Sequence, residues 1–179
     1  IPERYQKTMW PWLVMVAVSI LAIVQLRYQG RIWWCACGQP NPWSGNANGP
    51  HNSQHLFDPY SFTHLLHGLI LCGIVAWSLP KLPRAWRLGL VVAIEAVWEV
   101  IENSRFVIQR YRTATVSLDY AGDSITNSLG DILTCGIGCV IAWRLGLRRS
   151  TILFFVTELV LLVSIKDSLL LNIVMLIHP

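Results

Sequence analysis

Apolar positions along the chain gather into five long stretches, at 11–26, 60–79, 88–102, 124–145 and 151–177, separated by shorter polar segments. A helix needs about 20 mostly apolar residues to cross a bilayer. In lipid the backbone must satisfy its own hydrogen bonds, so such segments are helices. The pattern predicts an all-α, polytopic membrane bundle of about five transmembrane helices, forming a single integral membrane domain over residues 1–179. The third stretch is the shortest and ends in charges. No internal repeat or low-complexity tract is present.

The polar segments differ in kind. Residues 29–59 are rich in Gly, Pro, Asn, Ser and Trp, a turn-forming mixture expected to make an ordered loop or lid. Residues 104–122 carry Arg105, Arg110 and Arg112 and are expected to form a second loop with a short strand or interfacial helix. Orientation is read from the basic residues between spans. Arg4 and Lys7, then Lys81, Arg84 and Arg87, then Arg144, Arg148 and Arg149 fall on one side. Arg27, Arg31, Arg105, Arg110 and Arg112 fall on the other. The excess predicts a cytoplasmic N-terminus, with both long loops outside. The first stretch follows a short basic region but lacks a small-residue cleavage pattern, so an uncleaved anchor is expected.

Composition sharpens this picture. The 179 residues are 54% hydrophobic and 13% charged, about half the charge of an ordinary soluble domain, which carries about 25%. That deficit argues against a disordered chain and against a water-soluble enzyme. The net charge of +4 arises from residues placed between apolar segments, which speaks against a nucleic-acid partner.

Ionisable side chains inside membrane segments are expensive and by default face the bundle interior at functional sites. His64 and His67 lie one turn apart on one helix face. They sit roughly 6 and 10 Å below the expected outer boundary at 1.5 Å per residue. Glu95, Glu99 and Glu102 form an i, i+4, i+7 acidic stripe. Asp123, Asn127 and Asp131 line one face of the next segment, with Asp131 roughly 12 Å deep. Lys166 and Asp167 reach the same level, while Glu158 lies deeper. The expectation is that His, Glu and Asp from separate spans meet at one level in the outer half of the bilayer.

Imidazoles with several carboxylates suit a divalent Zn, Mn or Fe ion, which would also neutralise charges that otherwise protonate. The expected ligands are His64, His67, Glu99 and Asp123, and the expected catalytic groups are Glu99, Glu102 and Asp131. Arg105, Arg110, Asn127 and Lys166 are expected to bind substrate. The competing reading is structural, with Lys166–Asp167, Arg105–Glu102 and His–Asp pairs tying helices together. His51, His55 and Asp58 read individually as solvated loop residues, although His55, Asp58, His64 and His67 fall within 13 residues. Cys35 and Cys37 are too close in sequence for an unstrained disulfide, and a four-ligand zinc site needs further partners. Copper binding, pairing with another protein, a structural role and fatty acylation stay open for them. Cys72, Cys135 and Cys139 read as small packing residues. HExxH, GxSxG, P-loop and GxGxxG motifs are absent.

The segments SQHLFDPYSFTHLLHG, WEVIENSR and DYAGDSITNSLGD, in that order, resemble a family of small inner-membrane proteins of alphaproteobacteria known only as a domain of unknown function. The resemblance runs from about Tyr28 to Arg149 and implies a bacterial plasma-membrane location without an activity. GDSITNSLGDILTCGIGC is distantly similar to VanZ-like proteins, whose corresponding helix has an acidic residue followed by Asn and Gly. Two functional readings emerge. One is a metal-dependent membrane hydrolase or transferase acting on a lipid or lipid-linked group at the outer leaflet. The other is a non-catalytic subunit or assembly factor with a structural polar network, whose loop 29–59 docks on a membrane-protein partner.

Overall fold

A computed structural model describes residues 3–178. Ile1, Pro2 and Pro179 lie outside the described residues, as do the side chains of Arg4 and Lys7, on which part of the orientation expectation rests. The described residues form six helices and no strand: α1 (Glu3–Tyr28), α2 (Ser61–Ser78), α3 (Arg84–Glu102), α4 (Arg105–Ala114), α5 (Ile125–Ile165) and α6 (Leu169–Ile177). The all-helical class expected from the apolar runs is therefore what the chain adopts.

Two helices are long and apolar enough by themselves to cross a membrane, Met9–Tyr28 within α1 and Ser61–Ser78. A third candidate span is the bent pair α5 and α6, which turns by 75° at residues 166–168. The α3 helix is long enough but carries Arg84, Arg87, Glu95, Glu99 and Glu102, and its three carboxylates are buried against neighbouring helices. Apolar side chains face outward along α1 (Val16, Ile20, Leu21, Val24) and along the second half of α5 (Phe155, Leu159, Val160, Val163). Exposed apolar surface on this scale fits a lipid environment.

The sequence pattern separates 124–145 from 151–177, whereas the structure joins most of both in α5. The junction is Gly146, whose φ of 72° and ψ of 171° break the helix; the left-handed φ is one that glycine adopts without steric cost. The two limbs fold back on each other there. Asp58 accepts a hydrogen bond from Asn127 at the start of the first limb, and nearby Tyr60 donates to Asp167 just beyond the end of the second. A straight helix would hold residues 127 and 165 about 57 Å apart.

Packing is closest between α2 and the first limb of α5. A Cβ on Gly68 would overlap the Cys135 carbonyl, and one on Gly138 would overlap the Leu65 carbonyl. Small residues let the two backbones approach, as in other membrane-type helix pairs. Leu66, Leu69, Leu161 and Leu169 form one apolar cluster that joins α2 to both α5 and α6. Ala22, Val92, Ala96 and Ile132 form another, joining α1, α3 and α5. Cys72, Cys135 and Cys139 are buried in a third with Val75 and Val91, in keeping with packing roles.

The 29–59 loop is ordered by the helix it covers. The first backbone N–H groups of α5 have no intrahelical acceptor. Ser124 donates to the Ser53 carbonyl, Ile125 to Ile32 and Thr126 to Trp33. The Ser124 side chain caps the same end, accepting from the Asn127 amide. Segment 104–122 contains the amphipathic helix α4, capped by Ser104. Arg110 on α4 donates to the Leu176 carbonyl at 3.0 and 2.8 Å, tying α4 to α6.

Candidate functional site

Helical spacing brings the two histidines of α2 onto the acidic stripe of α3. Nδ1–H of His64 donates to Glu95 Oε1 at 2.6 Å, and Nδ1 of His67 meets the same oxygen at 3.0 Å. The two imidazoles stand edge to face with centroids 5.1 Å apart. One turn further along α3, Glu99 Oε1 lies 3.3 Å from His64 Nδ1. From the far side, Asp131 of α5 puts Oδ2 3.8 Å from His64 Nε2. His64 is therefore surrounded by three carboxylates from two helices.

Burial makes this arrangement consequential. Glu95 and Glu99 are 1% and 0% exposed, and His64, Glu102 and Asp131 are also buried. Both carboxylate oxygens of Glu99, Asp131 Oδ1 and Glu102 Oε2 have no hydrogen-bond partner among the described residues. Buried polar atoms are normally satisfied, so four orphaned oxygens in one cluster need partners, whether a cation, protons or ordered water. The salt bridges among the described residues pair His64 and His67 with carboxylates and use no Lys or Arg. The Arg105–Glu102 and Lys166–Asp167 pairs of the structural reading are not formed there, and Arg105 and Lys166 are exposed. Two sets of metal-ligating groups converge within 4.8 Å, His64–His67–Glu95 and His64–Glu99–Glu102.

Asp123 lines the same small cavity as His64, Glu102 and Asp131, and its oxygens already carry protein donors. It accepts from Asn103 Nδ2 at 2.7 Å and from the Tyr120 hydroxyl at 3.0 Å, and its own amide donates to Asn103 Oδ1. Its oxygens are thus occupied by protein donors, and it closes the chain onto the end of α3. Burial raises the Asp123 carboxyl above its ordinary range, opposed by these Asn103 and Tyr120 hydrogen bonds. Asn127 reaches back to Asp58 at 3.2 Å. Asp58, 1% exposed, also accepts the Ser53 and Tyr60 amides, at 2.9 and 2.7 Å. It is a joint between the loop and two helices rather than a solvated residue, and burial pushes its carboxyl up.

Two spaces share lining residues around Asp123. A small one of about 40 Å³ is lined by His64, Glu102, Asp131 and Asp123 together with Tyr60, Tyr111 and Tyr120. Burial lifts the Tyr111 and Tyr120 phenols well above their usual range, so both stay protonated donors. A larger crevice of about 610 Å³ lies between the loop at 30–54 and residues 116–123. Asn52, Ser117, Tyr120 and Asp123 line both spaces. The tyrosines and Asn103 carried no spacing signal in the sequence. Glu95 did, as the first member of the acidic stripe, but its bonds to both histidines depend on how α2 and α3 meet.

The family model described as "Protein of unknown function (DUF2585)" matches residues 26–179. The chain belongs to this family. It is 41% identical over 172 residues to a UPF0314 protein of Brucella anthropi, covering 95% of this chain and 87% of that one. A UPF0314 protein of Sinorhizobium fredii is 40% identical over 178 residues, covering 99% and 90%. One of Paracoccus denitrificans is 38% identical over 169 residues, covering 94% and 88%. The alphaproteobacterial family expected from the three sequence motifs is the one found. No solved structure matches the chain.

Proposed function

We propose that this chain is a five-span inner-membrane protein with its N-terminus in the cytoplasm. In this reading it acts as a metal-dependent hydrolase or transferase on a lipid or lipid-linked substrate. The observation that carries the proposal is the set of orphaned, buried carboxylate oxygens on Glu99, Glu102 and Asp131 around His64. His64, Glu99 and Glu102, whose ligand atoms converge, are the ligand set this favours, with Asp131 at the other edge of the His64 ring and His67 and Glu95 holding that ring. A bound divalent ion supplies an activated water and polarises a carbonyl or phosphoryl group.

The chain's own groups divide the remaining work. Glu95 fixes the His64 ring by accepting from Nδ1, which leaves Nε2 directed toward Asp131. The Tyr111 hydroxyl on the small cavity is a donor suited to a developing oxyanion, whereas the Tyr120 hydroxyl is engaged with Asp123. The large crevice is within the range of small-molecule sites, about 300–1,000 Å³, and Arg31 on its wall suits an anionic headgroup. Arg105 is exposed on α4, whereas Arg110 is engaged with the α6 backbone.

The second reading, a non-catalytic subunit, has its own support in the His64–Glu95–His67 and Asp123–Asn103–Tyr120 hydrogen bonds, which join helices without any ion. In that case Glu99 is simply protonated. Metal analysis of the detergent-purified chain separates the two. The enzyme reading expects Glu99→Gln to remove one equivalent of divalent metal while leaving helical circular dichroism intact. It also expects loss of turnover, read by mass spectrometry of inner-membrane lipids incubated with the protein. A folded Glu99→Gln protein with unchanged metal content ends the metal reading.

A further inference from the structure

Outside the helix bundle, the 29–59 loop folds two cysteines and two histidines onto one point. Cys35, Cys37, His51 and His55 each offer one ligand atom, and all four lie within 4.8 Å of one another. Cys35 Sγ is 3.2 Å from His51 Nδ1, and Cys37 Sγ is 3.7 Å from His55 Nε2. With Zn–S near 2.3 Å and Zn–N near 2.0–2.1 Å, a tetrahedral site has S···N edges of about 3.5 Å. The two separations bracket that value.

The surroundings fit the same conclusion. Nδ1–H of His55 donates to the Asn41 carbonyl at 2.5 Å. That bond fixes the tautomer in which Nε2, the atom facing Cys37, keeps its lone pair, as the outer partners of metal-bound imidazoles do. The Cys37 amide donates to Cys35 Sγ at 3.4 Å and orients it. Trp34 stands edge-on to His55 with centroids 5.5 Å apart, and His51 stands edge-on to it at 6.0 Å. Cys35 and His55 are buried, while all five cysteines are free thiols. In sequence the pairs are a C-x-C and an H-x-x-x-H separated by 13 residues, and only the loop fold unites them.

We propose that Cys35, Cys37, His51 and His55 form a structural zinc site that clamps the 29–59 loop over the start of α5. Two thiolates select zinc over Mn, Mg or Ca, and four protein ligands close the coordination sphere, which is the signature of a structural centre. The clamp sits on the wall of the large crevice, to which Cys35, Cys37 and His51 all contribute. It therefore fixes the shape of that opening, independently of any ion at His64.

The test uses the full chain, purified in detergent under reducing conditions. Elemental analysis is expected to find one zinc equivalent that is lost in Cys37→Ser and in His55→Ala but retained in Glu99→Gln. Cobalt reconstitution of the metal-depleted wild type is expected to give the visible d–d bands of a tetrahedral thiolate site, a measurement that needs no variant to fold. Chelation is expected to expose residues 36–54 to limited proteolysis while the helical circular dichroism stays constant. Unchanged zinc in a folded Cys35→Ser, Cys37→Ser protein overturns the proposal. So does an octahedral cobalt spectrum, or purified protein holding copper at these thiols and no zinc. Loss of metal from Glu99→Gln alone bears on the bundle site and leaves this one standing.

Discussion

His64 is held by geometry on both edges of its ring, with Glu95 and Glu99 facing Nδ1 and Asp131 facing Nε2. Removing Glu95 takes away the acceptor that orients both histidines but leaves Glu99, Glu102 and Asp131 in place. Glu95→Ala is therefore expected to weaken metal binding roughly 10–100-fold, the usual effect of losing an outer partner of a ligating histidine, with competition by a chelator as the measurement. Asp123 behaves differently because its oxygens already have donors. Its carboxyl is raised above the ordinary value of 3.8 by burial, so the folded state holds its proton more tightly than the unfolded state. The stability this confers is full below that ordinary value and is lost as pH rises through the higher folded-state value. Asp123→Asn mimics the protonated form at every pH. The melting temperature of the wild type relative to Asp123→Asn is expected to fall as pH rises from about 4 to 8, and a difference independent of pH counts against the assignment.

At the scale of elements, the contact between α2 and the first limb of α5 places His64 opposite Asp131. Gly68 and Gly138 are what let the two helices meet, since a Cβ at either would run into backbone of the other helix. Backbone cannot give way as a side-chain tip can, so Gly68→Leu is expected to cost at least the ~1–3 kcal/mol of ordinary overpacking. Gly73→Leu, about a turn and a half further along α2 on a face where nothing lies within 4 Å, is the control. It is expected to melt within a few degrees of the wild type. Equal damage from the two substitutions, measured by thermal unfolding in detergent, argues against the close crossing. The acidic stripe belongs to this scale too. Its i, i+4, i+7 spacing was legible in the chain, because a helix must bring those positions to one face. What it faces was not, because that depends on the crossing of α2 and α3.

For the whole molecule, the back-folded limbs at Gly146 return the chain to the end of the bundle from which α5 starts. In the proposed topology the two limbs join α1, α2 and α3 as five spans, with the loop at 29–59 and the helix α4 on one side. Alkaline phosphatase fused after Gly49 or Asp119 is then expected to be active, and fused after Pro80 or Arg148 to be inactive. Activity at Arg148 removes the hairpin from the membrane topology. The apolar runs alone predicted two segments here, but they did not reveal that only Gly146 interrupts the helix between Ile125 and Ile165. They also did not show that the last stretch bends at Lys166, where the φ of 58° is left-handed.

Local rules act through spacing, and spacing is written in the chain. Apolar runs of bilayer length determined the helical class, and the helical period determined that His64 and His67, or Glu95, Glu99 and Glu102, share a face. The order of three polar motifs was enough to identify the family. Contacts between residues far apart in sequence depend on loop paths and crossing angles, which no period encodes. For that reason Asp58 and His55, ordinary loop residues by position, became buried partners only when the loop folded onto α5. Asp123, by spacing on the ligand face, lines the same cavity as His64, and only the fold gives it Asn103 and Tyr120 as donors. The meeting of Cys35 and Cys37 with His51 and His55 was likewise decided by the tertiary fold, because a turn-rich segment has many possible closures and the backbone bonds to α5 select one.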